Sequence, residues 1–198
     1  MTHTDSVLIV GDDNTGGAYV LRICVAANLR VRFGRYANGM PIAVSAGEYV
    51  YVGSARASLG AATLSTRLLR HLTRSEGRPP HILREEVWRA CAQAGLSPLV
   101  FPRRKTLFWN IDYLLDEMEV EVVGVWVARS AWQNAESCLA RAILLEAGVE
   151  PLAPRLGAHD SRDYAHVLRI PAQAGWWQMV CRRLMHVISS AQNSTFNN

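Results

Sequence analysis

A chain of 198 residues, 49% of them hydrophobic, holds enough apolar material for one packed domain and excludes disorder over most of its length. Its net charge of +4 is mild, and its four cysteines (Cys24, Cys91, Cys138, Cys181) contain no C-x-x-C pair. That excludes a zinc knuckle or a disulfide framework and predicts free, buried thiols in a reducing cytosol. Met1–Asp13 lacks the basic start and long apolar run of a signal peptide. The longest apolar stretch, Val122–Ala128, is too short to span a bilayer, so a cytoplasmic protein with no membrane partner is expected.

Residues 1–16 read as a segment ahead of the domain, with one apolar run at Val7–Val10. Gly17–Ala26 alternates, with Tyr19, Leu21, Ile23 and Val25 on one face of a half-buried strand. Ala27-Asn28 marks a turn, Leu29–Phe33 a return strand and Gly34–Met40 a loop. Ile42–Val44 and Glu48–Gly53 are further strands, giving a small antiparallel sheet in which the strands of Tyr19 and Tyr51 can lie side by side. Leu64, Leu68 and Leu72 recur on one face of a helix, with Arg67 and His71 on a neighbouring face. Such a helix packs on a sheet with one side and points cations at a cleft with another.

Gly77-Arg78-Pro79-Pro80 ends that segment. His81–Ala94 reads as a second helix stopped by Gly95, and Ser97–Lys105 as a loop. Asn110–Glu117 is a short helix, and Val120–Ala128 an apolar strand suited to the centre of a sheet. Ser130-Ala131-Trp132-Gln133 has capping-box form and predicts a helix from about Ala131 to Ala147, ended by Gly148. Ala165–Ile170 is a last strand. Trp177, Val180, Cys181, Leu184 and Ile188 stripe an amphipathic C-terminal helix within 171–192, and the stripe reads as core; 193–198 reads as a disordered tail. The expected fold class is α/β (α+β): a small, mainly antiparallel sheet flanked by helices, plus the C-terminal helix.

Charge is unevenly spread. Arg56–Lys105 carries ten Lys/Arg against three Asp/Glu, whereas Asp112–Glu150 carries two against eight. Arg56, Arg70, Arg74, Arg103, Arg104 and Lys105 are candidate contacts to a nucleic-acid backbone, with solvated helix faces as the alternative.

Gly17-Ala18-Tyr19, then Tyr51-Val52-Gly53, then Arg67-Leu68-Leu69-Arg70-His71 is an ordered set that resembles the GIY-YIG nuclease superfamily. Tyr49–Ala55 and Trp109-Asn110-Ile111-Asp112-Tyr113-Leu114-Leu115 narrow the resemblance to its DUF123, or Uri-type, branch. The 31 residues between Tyr19 and Tyr51 suit the longer connection of that branch, and Arg74–Arg104 reads largely as an insertion. The resemblance covers roughly Gly17–Ile170.

It implies an endonuclease that hydrolyses DNA (in preference to RNA) with Mg2+ or Mn2+. Tyr51 would orient or deprotonate the attacking water, with Tyr19 assisting. Arg67 would stabilise the phosphorane, and His71 would contact phosphate or donate a proton. Glu136 would hold the metal, with a first-turn glutamate favoured by the helix dipole as the alternative. Gly17 and Gly53 would admit substrate or permit a tight turn. Asp112, Asp160 and His166 would complete the cleft or pin loops. Three departures are visible: Asn110 replaces a histidine, Cys138 replaces a second glutamate, and Ser161 and Asp163 replace cysteines. A nucleic-acid-binding module without catalysis and a structural or interaction domain are the rival readings. Oligomeric state is not legible.

Overall fold

The computed structural model describes residues 6–101, 104–130, 132–157 and 164–195, with side chains described as far as residue 190. Among the described residues eight strands and five α-helices follow one another: β1 Val7–Gly11, β2 Gly17–Val25, β3 Leu29–Val31, β4 Ile42–Val44, β5 Gly47–Ala55, α1 Leu64–His71, α2 Arg84–Gln93, α3 Asn110–Leu115, β6 Val120–Arg129, α4 Ala135–Leu144, β7 Glu150–Pro151, β8 Val167–Ile170 and α5 Trp176–Thr195. Six strands form one sheet in the order β1-β6-β2-β5-β8-β7. Among the described strands only β1 and β6 run parallel; every other neighbouring pair of the sheet is antiparallel. The fold is the expected α+β class.

The sheet separates two apolar layers. Alternate residues of the central strands (Tyr19, Leu21, Ile23, Tyr49, Tyr51, Val125, Val127) pack against the leucines of α1, against α2 and against α3. The opposite residues (Ala18, Val20, Val50, Val52, Trp126, Ala128) pack against α4 and α5. The Trp177–Ile188 stripe of α5 is therefore core, because the second face of the sheet needs a cover. For the same reason β2 is not half-buried: residues 18–21 are fully buried, as a strand with helices on both sides must be.

Other departures from the sequence reading have local causes. Val7–Gly11 is a strand that pairs with Val125–Arg129 of β6, closing one edge of the sheet. β3 does not return along β2 but forms a separate two-stranded ribbon with β4. α4 starts at Ala135, not near residue 131, because the Ser130 hydroxyl accepts from Trp132 N–H (3.1 Å) two residues on and so does not cap a helix. Within the stretch read as an insertion, Leu83, Val87, Cys91 and Leu96 belong to the first core layer. Cys91 and Cys181 are buried, Cys24 and Cys138 partly so, and all four are free. No helix among the described residues is long and apolar enough to cross a membrane.

Candidate active site

β2 and β5 lie side by side, pairing Tyr19 with Gly53 and Leu21 with Tyr51. Tyr19 and Tyr51 emerge on the same face, their ring centroids 6.2 Å apart and edge to face. Gly53 is required by this contact: a Cβ there would lie 2.6 Å from the Tyr19 hydroxyl. At Gly17 a Cβ would run into the Ala128 carbonyl of β6. Both motif glycines therefore make room for neighbouring protein, not for the approach of a substrate.

Helix α1 begins at Thr63, whose hydroxyl caps Thr66 N–H, and lays Leu64, Leu68 and Leu72 on the sheet. One turn beyond Arg67, His71 points inward. Its Nε2 accepts from the Tyr19 hydroxyl at 2.9 Å, and its Nδ1 lies 3.3 Å from Asp112 Oδ1. Asp112 is an ionised, acceptor-only group, so the ring carries its proton on Nδ1 and Nε2 is left to accept. Fully buried, His71 offers no edge to a phosphate; it supports Tyr19 instead.

Asp112 is the hub of this layer. Its Oδ2 accepts from Phe108 N–H (3.0 Å), Trp109 N–H (3.1 Å) and Arg70 (3.2 Å), and Lys105 Nζ lies 3.8 Å from Oδ1. It both pins the start of α3 and orients His71. Burial alone would raise its pKa, but the His71 hydrogen bond, the nearby cations and the Phe108 N–H hold it well below the usual carboxylate range. Burial pushes His71 down, so it is neutral, and brings Lys105 down to about 8.

The second half of the site comes from the opposite face of the sheet. Ser54 follows Gly53 on β5, and alternation turns its side chain toward α4. Its hydroxyl donates to Glu136 Oε2, while its carbonyl accepts from the Arg67 guanidinium, which comes from α1 on the other face. His166, just before β8, brings Nδ1 to 2.9 Å from Glu136 Oε1. Burial would raise the Glu136 pKa, but the close approach of His166, the Ser54 hydroxyl and Arg67 pull it below its ordinary value. Burial pushes the pKa of both phenols far up; for Tyr51 the charge of Glu136 adds to the rise and that of Arg67 opposes it.

Tyr19, Tyr51, Arg67, His71 and Glu136 thus come together where β8 parts from β5 and both faces of the sheet meet. His166 and Asp112 join them. Asp160 and Arg103 lie outside the described residues. The basic residues divide. Arg56 and Arg104 are exposed. Arg70 is partly buried, held by Asp112 and the Thr106 carbonyl, with its guanidinium 4.8 Å from the Trp109 ring centre. Arg74 and Lys105, expected along a nucleic-acid backbone, are 3% and 4% exposed. Arg74 is committed to Pro79 O, Val120 O and Glu121, so it clamps the fold rather than facing a ligand.

Two members were not singled out from the sequence. Ser54 was within reach, since alternation from Tyr51 sends residue 54 to the opposite face. Trp109 is the other. Its ring centre is 4.3 Å from the Arg67 guanidinium and 6.0 Å from the His71 ring, a cation–π contact that holds Arg67 in place.

Among the described residues no three His, Cys, Asp or Glu side chains cluster to cage a metal ion. The donor set fits another arrangement: one ionised, partly exposed carboxylate, Glu136, is how magnesium is commonly held, with water and substrate phosphate as its remaining ligands. Cys138 lies two residues further along α4, roughly 200° around the helix, so its thiol does not share the Glu136 face. No curated protein and no solved structure matches the chain. A family model described as a domain of unknown function, DUF123, matches residues 18–189, spanning both tyrosine strands, α1 and α4, and the chain therefore belongs to the DUF123 family.

Proposed function

We propose that this protein is a GIY-YIG-like endonuclease that hydrolyses phosphodiester bonds in DNA. The observation that carries the reading is the meeting of Tyr19, Tyr51, Arg67 and Glu136, drawn from four elements and both faces of the sheet, around the single residue Ser54 and the buried His71. These are the group types that phosphodiester hydrolysis needs: a water-handling hydroxyl, a cation for the charge developing on phosphorus and a carboxylate for a divalent ion.

Glu136 would hold Mg2+ or Mn2+, which when bound supplies charge stabilisation to the scissile phosphate and the leaving oxygen. Arg67 keeps guanidinium N–H groups beyond the one given to Ser54, and these bind the phosphate as negative charge builds up. A free phenolate at Tyr51 is disfavoured by burial and by Glu136. Tyr51 therefore takes the proton of the attacking water only as it passes its own proton on to Tyr19. Tyr19 hands its proton to His71 Nε2, and Asp112 stabilises the imidazolium. Water oxygen bonds to phosphorus, the bond to the leaving oxygen breaks, and solvent protonates that oxygen.

One observation favours the rival reading, a nucleic-acid-binding module without catalysis: both Glu136 oxygens already have protein partners. A cleavage assay on linear and branched DNA with magnesium or manganese separates the two. Cutting by the parent that is lost in Tyr51→Phe and in Glu136→Ala supports the nuclease. Salt-sensitive binding with no product at any metal concentration supports the binding module.

A further inference from the structure

Beside the site opens a cleft of about 1020 Å³ whose walls carry four aromatic rings, Tyr36, Phe108, Trp109 and Tyr113, and two guanidinium groups, Arg35 and Arg155. Among the described residues its walls carry no carboxylate. Phe108 is 73% exposed, yet its ring is held edge-on to Trp109 with centroids 5.2 Å apart and planes at 82°. An exposed ring fixed at a right angle to a tryptophan is a surface for another flat ring.

The walls are built rather than incidental. The Tyr36 hydroxyl donates to the Pro154 carbonyl at 2.6 Å, tying the two rims together. Gly34, at φ +60°, lies so close to Tyr113 that a Cβ there would come within 3.0 Å of its ring. Both rims also lead to the proposed chemistry. Trp109 contacts the Arg67 guanidinium and the His71 ring. The Pro154–Gly157 turn carries Arg155 into the cleft and, at Gly157, passes close beside Tyr51 and His166. On its other side Leu107 is shared with a second, basic cleft whose walls include Arg78, Arg84 and Arg104.

Rings that stack and arginines that take phosphate, set side by side in one cleft, match a nucleotide chain. In an intact duplex the faces of the bases are covered by their neighbours, so only an unpaired base can lie on these rings. We infer that the cleft receives unpaired bases, and that the substrate is a nucleic acid with a single-stranded segment at the cut rather than a continuous duplex. The inference rests on the nuclease reading for the word substrate; the binding preference stands without it.

The test measures fluorescence anisotropy in metal-free buffer with a labelled single-stranded DNA oligonucleotide, a blunt duplex of the same sequence, and an unlabelled mononucleotide as competitor. The parent is compared with Phe108→Ala and Phe108→Tyr, changes at an exposed ring that leave the core untouched. The single strand should bind at least tenfold more tightly than the duplex. Phe108→Ala should weaken the single strand about tenfold, the size expected for one lost stacking partner, and leave the duplex unchanged, while Phe108→Tyr restores binding. Equal affinity for both forms, or an unaffected Phe108→Ala, overturns the inference. So does a mononucleotide that competes as well as the oligonucleotide, which would mark a free-nucleotide pocket. Cutting assays on the same DNAs keep the two readings apart. Efficient cutting of fully paired DNA sinks this inference and keeps the nuclease. Phe108-dependent single-strand binding with no cutting does the reverse.

Discussion

His71 and His81 stand ten residues apart, both buried, each near a carboxylate and an arginine. Around His81 the ring is tied to the backbone at both nitrogens, with Glu121 Oε2 3.1 Å and the Arg74 guanidinium 3.3 Å from Nδ1. Nε2 donates to the Leu115 carbonyl at 2.9 Å and Nδ1 accepts from Val122 N–H at 3.2 Å. Arg74 beside it is bound by two carbonyls and Glu121. Around His71 one end of the network stays on side chains: Nε2 accepts from the Tyr19 hydroxyl, which neighbours Tyr51 and, beyond it, Arg67 and Glu136. Buried charge clamps the fold where its network is anchored to main chain on several sides. It can move a proton where the chain of partners ends on hydroxyls beside a cleft.

Substitution of an arginine from each region is the sharpest way to break that distinction. Arg67→Ala removes the proposed phosphate-binding cation and should lower the cutting rate about 10²- to 10³-fold with little change in thermal stability. Arg74→Ala should do the opposite. It leaves Glu121 and two carbonyls without their partner and should cost about 3 kcal/mol of stability, the lower end for a broken buried pair because Glu121 is partly exposed. Cutting per folded molecule should stay near the parental rate. Denaturant melts and single-turnover assays on both variants read the two effects separately. Loss of activity without loss of stability in Arg74→Ala would erase the contrast.

Next in size is Tyr51→Phe, which keeps the ring packed on His71 and deletes only the hydroxyl. A drop of about 10²-fold in rate is expected, with unchanged stability. Asp112→Asn should follow at about tenfold. Asp112 acts through His71, so the discriminating readout is the pH profile. An amide in place of the carboxylate no longer fixes the Nδ1 proton or stabilises the imidazolium, and the acid side of the profile should move. A lower rate at unchanged pH dependence would leave Asp112 only its role in pinning Phe108 and Trp109.

The sequence exposes those features of the architecture that rest on local pattern. Alternation in Gly17–Val25, the leucine repeat of α1 and the apolar run of β6 each declare their element, and the order of the two tyrosine strands and α1 points to where the site assembles. What stays hidden depends on partners far away along the chain. Val7–Gly11 is a strand because β6, more than a hundred residues later, offers it an edge. Arg74 and Lys105 look like surface cations in a basic run, and only Glu121 and Asp112, from the acidic half of the chain, reveal them as internal charges. Some of the charge asymmetry along the sequence is the separation, in chain order, of residues that pair inside the fold.

The smallest effect separates the two histidines by proton uptake. Burial lowers the pKa of His71, and burial with Arg74 lowers that of His81 to about 4. As pH falls from the ordinary histidine value of about 6.5, the unfolded chain takes up protons that the folded one refuses, so stability declines. Asp112 and Glu136, held below their ordinary values, act with the same sign at lower pH: the stability they contribute is present above the usual carboxylate range and is lost as pH falls through their folded pKa. Melting temperature should therefore fall steadily from pH 7 to pH 4, and both His71→Gln and His81→Gln should flatten the upper end of that slope. Only His71→Gln should also move the acid limb of the cutting rate, because only His71 lies on the proposed proton path to Tyr51. If the limb stays where it is in His71→Gln, the Tyr19–His71 hydrogen bond is a clamp like that of His81, and Tyr51 handles its water without it.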